Sequence, residues 1–415
     1  MSLIDKKNSI LIIISIFLVL LVAYRGGVEE VKKVEHKEDL TIIACYEPGP
    51  KRKTLNEIIE SYKTQHPHVK VQVEYLSPNT YRKELAIRME QGKLSDIIIC
   101  ENVIVPALID MGILQDIDTY IEEKEIFNHY TMGLWGNARS DGKLYSIPLS
   151  YDPYVMYYNK DHLKTKGQDV PKDWSSLLEV CETISNRTFG THAIGVALRQ
   201  TEEATNIFIQ LLASTGGSIR SLNDENGIKV FRLFEELSKK QWISKECINW
   251  NEIDLIEVFI NGEVSMMFNR LSALKTLQER EIGFNFGVSI IPYDKKEAYL
   301  YHGENMAITV QADYEEAIKF IDYLVQDKVT KKFAQETGTI PINIDDETLN
   351  ESEGTLKELI QNHIKQGISK GSFNLWFNIS DAISQGIRNV LKNEKQVQEI
   401  ADEVQDKVSV AIIEN

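Results

Sequence analysis

Residues 40–50 read LTIIACYEPGP, 51–65 KRKTLNEIIESYKTQ, 69–75 VKVQVEY and 95–101 SDIIICE, and this run decides the fold class. Leu40–Cys45 is a short apolar run of the kind a buried strand makes, closed by the turn Glu47-Pro48-Gly49-Pro50. Leu55, Ile58, Ile59 and Tyr62 then recur at helical spacing. Val69–Tyr75 alternates apolar and polar residues as a half-buried strand does. A second helical stretch covers about Tyr81–Gln91, and Asp96–Cys100 is a third strand. Strands alternating with helices predict βαβ units and a parallel sheet. Ligands of such sheets lie beyond the carboxyl ends of the strands, which puts Tyr46, Glu47, Glu101 and Asn102 near any site.

Further along, Asp141-Gly142-Lys143 is a tight turn before Leu144–Pro148 and the extended run Tyr151–Tyr158. Ala193–Leu198 reads as a strand, and Asn206–Ser214 as a helix broken by Gly216-Gly217. Val264–Asn269, Phe286–Ile291 and Met306–Val310 are predicted strands. Ala317–Val325 is an amphipathic helix that Gly338–Pro341 ends, and Asp381–Ile412 carries one or two more helices. There is no internal repeat.

The chain has 415 residues, which suggests two or three domains, and 43% of them are hydrophobic, enough for a full core. Its 46 Lys+Arg face 62 Asp+Glu, a formal net charge of -16. That balance argues against nucleic acid, because no surplus cations replace phosphate counterions. It equally disfavours docking of a basic patch on anionic lipid. The 4 cysteines, Cys45, Cys100, Cys181 and Cys247, form no C-x-x-C pair and read as free buried thiols, although an exported setting permits a disulfide.

Lys6 and Lys7 precede an apolar run from Ile10 to Ala23 interrupted only by Ser15, the pattern of a secretory signal. The run is shorter than the roughly 20 residues of a membrane span. Residues 1–24 are therefore expected to be a signal peptide or membrane anchor. Leu21-Val22-Ala23 resembles a lipobox, but Tyr24 stands where the lipid-bearing cysteine would be, so cleavage after Ala23 and retention as an anchor both stay open. Residues 25–38, charged and poor in aromatics, read as a flexible tether. The expected location is outside the cytoplasm, at the outer face of the membrane or free of it, and periplasmic if the cell has an outer membrane.

Several stretches occur in an order that resembles the bacterial extracellular solute-binding proteins of the sugar-binding type, relatives of maltose-binding protein. They are Ser95-Asp96-Ile97-Ile98, Gly112–Ile117, Asp141–Pro148, Met156–Lys160, Val170–Leu177, Phe259–Met267 and Gly338-Thr339-Ile340-Pro341. Each is weak alone, and their ordered spacing is specific. The resemblance implies an α/β fold of two lobes, periplasmic-binding-protein-like, joined by a hinge that the chain crosses more than once. The first lobe is expected to comprise 39–147 plus 293–341, and the second 148–292 plus 342–415. It also implies a monomer that traps a carbohydrate between the lobes and delivers it to the permease subunits of an ABC importer, without a cofactor or metal. A solute sensor, or a binder of a non-sugar ligand, is the alternative. Two departures stand out: His302-Gly303-Glu304-Asn305 where the family often has Gly-Gly, and the missing lipobox cysteine.

A sugar presents hydroxyls, which carboxylates and amides pair with, and C–H faces, which aromatic rings cover. Glu47, Glu101 and Asn102 follow strands, and Tyr151 and Asp152 lie where the chain should change lobes. By the resemblance, Asp152 matches an acidic ligand contact and Trp376 a stacking tryptophan. Phe268, Asn269 and Arg270 end a second-lobe strand, and His302 and Glu304 lie where the chain recrosses. The plainer readings are a solvated turn for Glu47, a hinge cap for Asp152, a core anchor for Trp376 and mutual pairing for His302 and Glu304. On the binding reading, Trp376→Ala and Asp152→Ala weaken sugar binding and leave the melting temperature nearly unchanged. His66-Pro67-His68, on a turn, reads as solvated and not as a metal site.

Gly367-Ile368-Ser369-Lys370-Gly371 matches the G-x-S-x-G elbow of hydrolases, which needs a strand before it. Here it follows the helical stretch Leu356–Gln366 and reads as a helix end. A glycoside-acting enzyme using Glu101 and Asp152 is the remaining catalytic alternative.

Overall fold

The computed structural model describes residues 39–77, 80–124, 132–185, 191–342 and 354–413. The expected signal segment and tether, 1–38, lie outside the described residues. Among the described residues, eleven strands, β1 Asp39–Ala44, β2 Lys70–Tyr75, β3 Ile97–Glu101, β4 Arg139–Ser140, β5 Lys143–Leu144, β6 Ile147–Tyr151, β7 Tyr154–Asn159, β8 His192–Val196, β9 Val264–Arg270, β10 Phe286–Ser289 and β11 Gly303–Ile308, carry the architecture. Among the described residues no helix is long and apolar enough to cross a membrane.

The first sheet has the order β2-β1-β3-β11-β6 and the second β10-β7-β9-β8, one for each of two α/β lobes. β2, β1 and β3 pair in parallel as their βαβ pattern predicts. The other half of that sheet is antiparallel: β11 pairs with β3 and with β6. Neither strand comes from a local βαβ unit, because β6 leaves for the second lobe and β11 is the return. β6 continues the first sheet to Tyr151, past the boundary expected at 147. In the second sheet only β8 and β9 are parallel.

The central strands of both sheets are buried on both faces, and residue parity along a strand decides the layer. Ile43 and Ile98 belong to one apolar cluster with Tyr154 and Met156, whereas Ile42, Ile97 and Ile99 join Val155 and Tyr157 in the other. That is why these strands read as near-continuous apolar runs. Cys45, Cys100, Cys181 and Cys247 are buried thiols, none in a disulfide.

The lobes meet where the chain passes three times. After β6, Asp152 and Pro153 lead directly into β7. Asp152 N–H donates to His302 O (2.8 Å) on the returning pass, and Tyr151 exchanges backbone bonds with Ile340 (3.0 and 2.7 Å) on the third. Gly303 opens β11 at so close an approach that a Cβ there would lie 1.9 Å from Ser150 O. Only glycine fits, so Gly303 serves the packing of the crossing strands.

Elsewhere the structure adds a helix. Tyr314–Leu324 ends before a second helix, Asp327–Thr337, and Gly338 (φ 74) caps that later one, not the first as the sequence suggests. The tail forms two helices, Trp376–Lys392 and Val397–Ile413, with Asn393 left-handed (φ 55) at the break.

Candidate functional site

A cleft of about 1050 Å³ is walled by both sheets' carboxyl ends and the helices that follow them. From the first lobe come Glu47 after β1, Lys51 in the first turn of helix Pro50–Gln65, Tyr81 opening helix Tyr81–Glu90, Glu101 ending β3 and Glu304 in β11. Asp152 contributes from the hinge. From the second come Asn269 and Arg270 ending β9, Arg199, Glu202 and Glu203 beyond β8, and Glu252 opening helix Glu252–Ile260. Phe377, Ser380, Asp381 and Ser384 project from one face of helix Trp376–Lys392 at spacings of three and four.

The floor is a network of paired charges. Arg270 spans the lobes, with Nη2 3.1 Å from Glu101 Oε1 and Nε 2.7 Å from Glu252 Oε2. Its guanidinium lies 5.7 Å from the Tyr154 ring centroid, and the Tyr154 hydroxyl donates to Glu252. Lys51 pairs with Glu304, which also accepts from Ser150 Oγ. Asp152, with no side-chain exposure, accepts from Ser272 N (2.9 Å) and Oγ (2.8 Å), and lies 3.9 Å from Lys51 Nζ. Burial pushes Asp152 up, Lys51 only partly offsetting it. Burial also raises Glu101 and Glu304, but their neighbours win. Arg270 holds Glu101 below the usual carboxylate range, and Lys51 and Ser150 lower Glu304.

His302 is fully buried, its Nε2 3.6 Å from Glu101 Oε1, beyond hydrogen-bond length. Burial and Arg270 keep the ring neutral, with its value lowered to about 3. Of the two groups beside Glu101, Arg270 therefore supplies the charge at neutral pH. The folded value lies below the unfolded one of about 6.5, so the unfolded chain takes up the proton first. The contribution of His302 to stability is complete above pH 6.5 and falls as pH drops toward the folded value. His363, lowered to about 4 by burial, acts with the same sign. We expect His302 alone to cost about 2–3 kcal/mol by pH 4.5. Between pH 7 and 4.5 the urea midpoint of the parent should fall relative to that of His302→Gln, a difference that isolates the ring from Glu203, whose raised value acts with the opposite sign.

Of the residues singled out in the sequence, Glu47, Glu101, Asp152, Asn269, Arg270 and Glu304 line this cleft. The structure brings all but Glu47 into the floor. Glu47 is exposed at the rim and accepts from Ser77 Oγ (2.8 Å). Asn269 uses its amide internally, on Glu252 O (3.0 Å) and from Arg270 N (2.8 Å). Asn102, Tyr151, His302 and Trp376 are buried behind the wall. His302 and Glu304 do not pair with each other, since Glu304 is held by Lys51 and Ser150.

Trp376 sits one residue out of phase with the cleft. Its ring is 0% exposed and stacks on Phe373, and its Nε1 donates to Glu202 Oε2 (2.8 Å). One helical step, about 100°, gives the cleft-facing place to Phe377. Glu202 is held in turn by Ser380 Oγ (2.7 Å) and Lys370 Nζ (2.9 Å). Lys51, Tyr81, Arg199, Glu202, Glu203 and Glu252 were not legible as wall residues. The carboxyl-end rule, applied to β8 as it was to β1 and β3, would have reached the Glu202-Glu203 pair.

Ser369 of the G-x-S-x-G match follows the helix Gly354–Gln366 and donates to Asn137 Oδ1 (2.6 Å), so the strand-turn-helix setting of a hydrolase elbow is not present there.

Solved structures of the same architecture cover nearly the whole chain. A solute-binding protein of an ABC transporter from Thermotoga lettingae, bound with alpha-D-tagatose, superposes with a TM-score of 0.82 at 20% identity, over 91% of this chain and 100% of that one. The maltose-bound MalE3 of T. maritima gives 0.81 at 19% identity, over 90% and 99%. The multiple sugar-binding protein of Streptococcus mutans is 22% identical over 356 residues, 80% of this chain and 82% of that protein. The sequence pattern of the bacterial extracellular solute-binding proteins runs through residues 57–353, and the chain belongs to that family.

Proposed function

We propose that this protein captures a carbohydrate, of oligosaccharide size, between its lobes and presents it to the permease subunits of an ABC importer. The observation that carries the reading is the cleft itself: one cavity walled by both lobes, with carboxylates, a guanidinium and hydroxyls converging beside the rings of Tyr81 and Phe377. A ligand that touches both walls gains contacts only on closure, so binding shifts the population toward the closed form. The named relatives support the choice of solute: one is called a multiple sugar-binding protein, and two solved neighbours hold tagatose and maltose. On this reading the solute is released unchanged.

The lobes divide at about 39–147 plus 293–341 and 148–292 plus 342–415, with β6 extending the first to Tyr151. On this reading the protein works as a monomer, directed out of the cytoplasm by its first 24 residues, which are either cleaved or kept as an anchor.

Calorimetry of the purified protein against a panel of mono- and oligosaccharides tests the reading. At least one sugar should bind, and at 100-fold over its Kd it should stabilise the fold by about 2.7 kcal/mol. Small-angle scattering should register a smaller radius in the complex. Silence across the panel would overturn carbohydrate capture, and new reducing ends would overturn simple binding.

A further inference from the structure

The carboxylates of the cleft floor are spoken for. Glu101 and Glu252 share Arg270, Glu304 has Lys51 and Ser150, Asp152 has Ser272, and Glu202 has Lys370, Trp376 and Ser380. Glu203 stands apart. It lies in the first turn of helix Glu202–Thr215 and lines the cleft, yet among the described residues its one hydrogen bond is from Thr201 Oγ1 at 3.4 Å. No cation forms an ion pair with it among the described residues. Glu252 is close enough to repel it.

A second group points the same way. Tyr81 lines the cleft with 1% exposure, and among the described residues its hydroxyl has no hydrogen-bond partner. The ring reaches across to Phe377 (6.1 Å between centroids), and the hydroxyl feels the charges of Glu101 in one lobe and Glu202 in the other. A buried phenol left unpaired, in the same cleft as a carboxylate that no cation pairs within 4 Å among the described residues, describes a place kept for a ligand's polar group. Acidic side chains also outnumber basic ones along the cleft wall.

We propose that the carbohydrate taken here carries a protonated amine, received by Glu203, with the Tyr81 hydroxyl accepting from or donating to the same sugar. The proposal rests on the carbohydrate reading above and narrows it to amino sugars. In the empty cleft, burial and Glu252 push the Glu203 carboxyl up to about 8. Arg270 and Arg199 pull it down and Glu101 pushes it further up, while the Tyr154 phenol, neutral at physiological pH, also faces it. An arriving ammonium favours the carboxylate, so the proton that Glu203 held leaves to solvent as the ligand binds.

The test is calorimetry at pH 6.5 in buffers of different ionisation enthalpy. The probes are deacetylated chitobiose and a 6-amino-6-deoxy maltoside, each against its neutral parent sugar. We expect the amines to bind at least about tenfold more tightly and to release about one proton, where the parents release none. Glu203→Gln should bring the ratio of the two affinities close to one and abolish the release. Parents that bind as well as the amines, or a release that survives Glu203→Gln, would overturn the amine proposal and leave carbohydrate capture standing. If neither form bound while another sugar of the panel did, the amine proposal alone would fall; if no sugar of the panel bound, carbohydrate capture would fall and this proposal with it.

Discussion

Trp376→Ala is expected to destabilise the protein by about 3–5 kcal/mol, the usual cost of truncating a buried tryptophan. The ring is fully enclosed against Phe373 and Lys370, and its Nε1 is one of three donors that hold Glu202. The cavity and the released carboxylate act together, so a urea midpoint should fall sharply. Phe377→Ala should do the reverse. Its ring faces the cleft, so truncation should weaken solute binding by about tenfold, about 1.4 kcal/mol, and move the midpoint little. Asp152→Ala belongs with Trp376→Ala, because Asp152 caps Ser272 inside the hinge. The sequence reading, in which both substitutions spare the melting temperature, is reversed by this burial. Midpoints of Trp376→Ala and Phe377→Ala that moved equally would refute the assignment.

Arg270→Met is the second large effect. It leaves Glu101 and Glu252 facing each other in a site where their side chains are 18% and 13% exposed. Removing one member of such a buried set costs about 3–5 kcal/mol. Adding Glu101→Gln should recover part of that loss, since one of the stranded charges is then gone. The same guanidinium ties β3 to β9 across the lobes, so the variant should also populate wider openings. Scattering from the unliganded variant should give a larger radius of gyration than the parent. An unchanged radius with a lowered midpoint would confine Arg270 to stability.

The strands that begin the chain were legible because their apolar runs are local. Leu40–Cys45 and Asp96–Cys100 announce buried strands, and Val69–Tyr75 alternates. β11 was read three residues late, as Met306–Val310, because Gly303, Glu304 and Asn305 break any hydrophobic pattern. They are buried all the same. Glu304 is neutralised by Lys51, more than two hundred residues away in sequence, and Asn305 donates to Ser146 Oγ (2.8 Å). Partners that distant leave no periodic trace. Helix phase limited the site reading likewise: Trp376 and Phe377 are neighbours in sequence, and only packing decides which of them faces solute. The acids of the first lobe and hinge could be found from strand ends, whereas Lys51 and Tyr81 sit on helices whose orientation the sequence does not fix.

The insertion of the second lobe between β6 and β11 bears on how the polypeptide is made. As the nascent chain emerges from its N-terminus, β1, β2 and β3 are available early, but the neighbour that covers the edge of β3 spans Gly303–Ile308. Until that segment has left the ribosome, Ile97–Glu101 presents an apolar ribbon with unpaired amides, the kind of edge that recruits other chains. Closing the sheet also requires a contact of very long sequence separation, which slows folding. A newborn molecule therefore stays unfinished through most of its translation.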